Sequence, residues 1–127
     1  MTQTAAIVFC LLIAGLGVFQ FALAMGAPLG RYAWGGQTSG RLPPGLRTGS
    51  AISILVYTVF ALIMLERASL VDMTPGEGAV RIAAWAVIGL LAAGCVMNAI
   101  SRSPHERYVM TPLCLALAAC ALIVARS

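Results

Sequence analysis

The chain has 127 residues, of which 61% are hydrophobic and 9% charged, with a mean hydropathy of +0.95. A soluble domain of this size buries only part of its chain, so water could not tolerate this much apolar surface, and lipid is the consistent solvent. The net charge of +4 comes from arginine alone, since there is no lysine; this pattern points to cytoplasmic loops and anionic lipid headgroups, and away from nucleic acid.

The first apolar run predicts a transmembrane helix over about 5–25, with Thr4 as its cap. It is too long, and too free of a basic leader, to read as a cleaved signal peptide. Gly26 and Pro28 stop it. Gln20 is its one strongly polar interior residue, on a face shared with Leu16, Gly17 and Ala24 that another helix can approach.

Residues 26–47 form the only long polar, Gly/Pro-punctuated segment. It exceeds the roughly 2–8 residues of an ordinary helix–helix connection, and long structured loops tend to carry function. Pro28, Pro43 and Pro44 stiffen its ends, and Tyr32 and Trp34 are expected at the headgroup level. Arg31, Arg41 and Arg47 are placed to pair with lipid phosphates or a bound anion. The segment is expected to fold back over the bundle mouth as an ordered cap.

A second helix follows over about 48–68. Arg47 and Arg67 bracket it at a separation of about 30 Å, which matches a hydrocarbon core. Ser50, Ser53 and Tyr57 share one stripe, read first as interhelical hydrogen bonding and second as a ligand stripe. After a short connection, Thr74-Pro75-Gly76-Glu77 reads as a capping box that opens a third helix over about 75–100. Trp85 is an interfacial aromatic, Gly89 and Ala93 make a small-residue seam for self-association, and Gly94 and Asn98 share a neighbouring face. Ser103-Pro104-His105-Glu106 repeats the cap chemistry before a fourth helix over about 104–125, where Thr111-Pro112 is expected to introduce a kink.

The predicted fold is an all-α membrane protein, one transmembrane domain built as an antiparallel bundle of four helices with one long first loop. In that arrangement Gln20, Ser50, Ser53, Asn98 and Thr111 fall in one half of the membrane, beneath the first and third loops. Those loops carry Arg31, Arg41, Arg47, Arg102 and Arg107, against Arg67, Arg81 and Arg126 on the other side. The bias places the first and third loops in the cytoplasm of a multi-pass inner-membrane protein, with both termini outside.

The residues suited to chemistry do not assemble into a catalytic set. Cys10, Cys95, Cys114 and Cys120 all lie in apolar runs without Cys-x-x-Cys spacing, and His105 is the only histidine, so no metal or cofactor is expected. No pair of acids and no nucleophile with a base shares one layer, so an enzyme is not expected. Gly35-Gly36-Gln37 copies a release-factor tripeptide, but nothing else in the chain matches such a factor, and no strand or Gly-Lys-Ser/Thr accompanies it as a nucleotide loop requires. The first helix lacks the embedded glutamate of small multidrug exporters. The second and third helices lack the polar asparagine and the break of small fluoride channels.

The pattern Gly26-x-Pro28-x-Gly30…Trp34-Gly35-Gly36-Gln37…Leu42-Pro43…Leu46-Arg47…Ser50 resembles uncharacterised small bacterial four-helix integral membrane proteins. That resemblance implies the fold and a bacterial inner membrane, and no activity. The leading expectation is a non-enzymatic accessory, assembly or lipid-contacting component, self-associating or part of a larger membrane complex. The alternative is a small homo-oligomeric transporter or channel with a polar vestibule under the first loop. The residues expected at a ligand or lipid-contact site are Gln20, Arg31, Trp34, Gln37, Arg47, Ser53, Asn98 and Arg102.

Overall fold

The computed structural model describes residues 1–127. Four long helices account for most of the chain: α1 (Thr2–Ala24), α2 (Pro44–Arg67), α3 (Glu77–Ala99) and α4 (Pro104–Ala125). Each is long and apolar enough to cross a membrane, and there is no strand. Only 24 of the 127 residues are buried, so the large apolar side chains on the outer faces, such as Leu11, Val18, Leu55 and Ile82, need lipid around them. The chain is a multi-pass integral membrane protein with an all-α four-helix fold.

Local chemistry sets the helix ends, and it departs from expectation in several places. α1 begins before Thr4, which lies inside the helix, and Met1 occupies the cap position. α2 begins at Pro44 rather than near residue 48, because a proline at the first helical position lacks only an N–H that the helix does not use. The expected capping box at Thr74 does not form. The Thr74 hydroxyl and amide both donate to Glu66 Oε1, so α3 starts at Glu77 behind an uncapped Gly76. At α4 the Ser103 hydroxyl does cap, accepting from the Glu106 amide at 3.4 Å. Glu106 does not complete the reciprocal half, because its carboxyl turns to Ser101 instead. α4 continues as one helix through Pro112.

α1 packs along both α2 and α4, and α4 packs along α3, while α2 and α3 meet far more sparsely. The ring of helices is therefore thinnest between α2 and α3. At one end, small buried side chains (Ala5, Ala6, Ala68, Ala84, Ala121 and Ala125) let the backbones approach closely around Phe9, Met64 and Val124. At the same end Arg67 donates to the carbonyls of Ala125 and Ser127. The first and third connections meet at the other end, where the Ser103 hydroxyl donates to the Arg31 carbonyl and Tyr32 stands edge-on to His105, ring centroids 5.2 Å apart.

Candidate functional site

The first connection is folded, not slack. Gly30–Tyr32 and Trp34–Gly36 are short 3₁₀ turns, and the Gly30 amide donates to the Gly40 carbonyl at 2.9 Å, closing the loop on itself. Ala33 and Leu42 are buried against Leu23 of α1, with Phe19, Leu29, Trp34 and Leu46 packed around them. A small second core thus fastens the cap to the top of α1 and the start of α2.

Three successive residues, Trp34, Gly35 and Gly36, have φ of 54°, 71° and 72°. Left-handed backbone is unfavourable for tryptophan, at a cost on the order of 1–3 kcal/mol that the surroundings must repay. Two contacts do so. Trp34 Nε1 donates to Ser50 Oγ at 3.1 Å, and the indole lies so close to Gly49 that a Cβ there would sit 2.8 Å from the ring. Gly36 rests on Ser103, where any side chain would collide. The turn therefore points Trp34 into the bundle. The half-buried ring forms part of an interior wall.

Beneath the cap lies a cavity of about 360 Å³, and fifteen of its twenty lining residues are hydrophobic. The cap contributes Tyr32, Ala33 and Trp34, and every long helix contributes a share. Its polar atoms come from Gln20 of α1, Ser53 and Tyr57 of α2, Asn98 of α3 and Glu106 of α4. A mostly apolar hollow with a few converging polar groups is the usual character of a small-molecule site.

The polar wall is unevenly satisfied. Gln20 is 8% exposed, and its Nε2 donates to Tyr57 Oη at 3.2 Å, while its Oε1 is buried with no partner. An unpaired buried acceptor costs about 1–3 kcal/mol, and lipid offers no water to relieve it. Ser53 donates back to the Gly49 carbonyl within its own helix at 3.0 Å. Glu106 is 7% exposed and its Oε2 accepts from Ser101 Oγ at 2.9 Å. Cys114 donates to the Leu91 carbonyl at 3.3 Å. No group of three His, Cys, Asp or Glu side chains is arranged to hold a metal ion.

Four of the eight residues expected at a site therefore share this wall: Gln20, Trp34, Ser53 and Asn98. The other four lie outside it. Arg31 and Gln37 are exposed on the cap, with the Arg31 guanidinium 5.5 Å from the Tyr32 ring centre, and Arg102 is exposed on the third connection. Arg47 is committed to structure, since its Nε donates to the Ala24 carbonyl at the end of α1 at 2.9 Å. That bond uses a helix-terminal carbonyl with no partner within its own helix, and it clamps α2 to α1. Of the remaining residues in the polar layer, Ser50 is buried beneath Trp34, and the Thr111 hydroxyl is buried without a partner.

Comparison with protein-family models, with curated proteins and with solved structures finds no match. The geometry alone therefore bears on the site.

Sequence reasoning did not place Tyr32, Glu106 and Cys114 in the wall, and it named Tyr57 only as part of the stripe with Ser50 and Ser53. For Tyr57 a signal existed, since it lies on the stripe with Ser53. For Glu106 the signal pointed elsewhere, because a serine three residues before a glutamate ordinarily reads as a reciprocal cap. The expected self-association seam is not used inside the bundle. Gly89 and Ala93 are exposed, and a Cβ at Gly89 would meet nothing within 4 Å.

Proposed function

We propose that the protein is a non-enzymatic, lipid-contacting component of a bacterial inner membrane that holds one amphipathic membrane molecule in the capped cavity. The observation that carries this reading is the buried Gln20 amide, whose Oε1 has no partner in a wall that is otherwise mostly apolar. Binding needs only shape and a few anchors. Catalysis needs partnered groups, and here the single carboxyl in the wall bonds to a serine while the thiol bonds to a carbonyl. The open face at Gly89 and Ala93 leaves room for a second copy or another membrane subunit.

Native mass spectrometry of the protein, released from membranes in mild detergent, tests the reading. The wild type should carry one retained membrane molecule per chain. Gly94→Phe should lose it, because Gly94 lines the cavity and a bulky ring there fills it. Equal adducts on both proteins would count against the cavity as a binding site.

A second reading, a small homo-oligomeric transporter or channel, is favoured by Gln20 and Asn98 facing one vestibule under the first loop. It requires the alanine-rich end, filled by Phe9 and Met64, to open during a cycle. Scrambling of fluorescent lipid in proteoliposomes above the protein-free rate would support it.

The arginine bias further supports a cytoplasmic cap with both termini outside. Ser39→Cys should be shielded from an external thiol reagent and Ser127→Cys labelled, both in a cysteine-free background. Complete external labelling at position 39 would invert the orientation, and half labelling would mean dual insertion.

A further inference from the structure

Four features of the cavity, taken with the proposed binding role on which this step rests, narrow the occupant. The first is size. Liquid water takes about 30 Å³ per molecule, so the cavity of about 360 Å³ admits roughly a dozen water-sized groups. A phosphate headgroup with its glycerol and the first segments of two acyl chains exceeds that, even with both tails left in lipid.

The second is charge. No arginine lines the cavity, and the one ionisable acid that does is Glu106. An anionic head would lose its hydration without gaining a cation, beside a carboxyl, which is strongly unfavourable. The arginines of the cap and third connection lie outside, so any phosphate they meet stays at the surface.

The third is hydrogen bonding. Gln20 Oε1 lacks a donor, and Tyr57 Oη accepts from Gln20 while its own proton goes to no group of the chain. The terminal amide torsion of glutamine is soft, so the amide can turn to present a polar atom to an occupant. A hydroxyl meets both needs at once, donating to the amide oxygen and accepting from the phenol. Because a hydroxyl both gives and takes, the match holds for either rotation of the amide.

The fourth is the route. Val56, Leu90 and Met97 line the cavity and are also 40%, 59% and 66% exposed. They lie on α2 and α3, which meet most sparsely of the helix pairs that are neighbours around the ring. On the cap side the way is closed by buried Ala33 and by Trp34 on Ser50. From these four features we infer that the cavity takes the head and first chain segment of a neutral, hydroxyl-bearing, single-chain amphipath of the long-chain or isoprenoid alcohol class. It enters sideways from the bilayer between α2 and α3, with its tail trailing into lipid.

Photolabelling of the full chain in phosphatidylcholine nanodiscs tests this, using hexadecanol with a mid-chain diazirine and hexadecanoic acid with the same diazirine at alkaline pH. The alcohol should label the cavity edge at Val56, Leu90 and Met97, and the acid should label it about tenfold less, as exclusion of an unpaired charge requires. Gln20→Leu should reduce alcohol labelling about five- to tenfold through loss of one hydrogen-bonding anchor. The alcohol–acid comparison on the unmodified chain stands even if that variant folds poorly. Equal or stronger labelling by the acid would overturn the head class and leave the binding role intact. Mid-chain labelling at Tyr32 and Trp34 instead of the α2–α3 edge would overturn the lateral route. No wall labelling by either probe would overturn the binding role itself.

Discussion

The two ends of the bundle use the same four helices differently. At the closed end, buried alanines from α1, α3 and α4 bring the backbones together around Phe9 and Met64. At the capped end the helices surround a cavity, and glutamine, tyrosine, asparagine and glutamate side chains project into it. In lipid, helices do not associate to escape water. They associate through close packing and interhelical hydrogen bonds. The closed end takes the packing and the capped end keeps its polar groups only partly satisfied, so close packing and unsatisfied polarity are segregated along one axis.

The largest test of that contrast compares truncations at the two ends. Phe9→Ala, which empties a fully buried site, should cost about 3 kcal/mol or more, while Leu113→Ala, at a half-buried site on the cavity wall, should cost about 1–2 kcal/mol. Unfolding in mixed micelles reads both, and equal losses would erase the distinction. Next in size is Gly49→Ala. Its new methyl would sit 2.8 Å from the Trp34 ring, so about 1–3 kcal/mol of overpacking should push the indole out, seen as a shift in its fluorescence.

Trp34→Phe probes the cap more gently. It removes the donor to Ser50 and should cost about 1 kcal/mol, raising amide exchange about fivefold at Gly30, Tyr32, Ala33 and Gly36. Those four amides hydrogen-bond within the cap, so they should be protected in the wild type. Exchange there as fast as at the chain termini would mean that the cap is not folded in lipid. The smallest effect is expected from Gly89→Leu. Its site is open, so fold stability should change by less than about 0.5 kcal/mol. Any effect should appear as a smaller assembly in mild detergent, and an unchanged size would assign that face to lipid.

The sequence by itself determined the features that local pattern and solvent dictate. Long apolar runs bracketed by arginines require membrane helices, and Gly26 and Ser103 mark two of their ends. Helix order and spacing also place Gln20, Ser53 and Asn98 at one depth, so a polar half of the bundle was legible in the chain alone. Tertiary structure alone decided which polar atoms find partners. Ser103 is 72 residues from the Arg31 carbonyl that its hydroxyl meets, and Arg47 is 23 from the Ala24 carbonyl that it clamps. The left-handed turn at Trp34 likewise exists only because Ser50 and Gly49 receive the ring. Local signals misled at Thr74 and Glu106, because capping is a competition among nearby acceptors and donors. Glu66 and Ser101 won that competition by lying within hydrogen-bonding reach in the folded chain, which no spacing rule records.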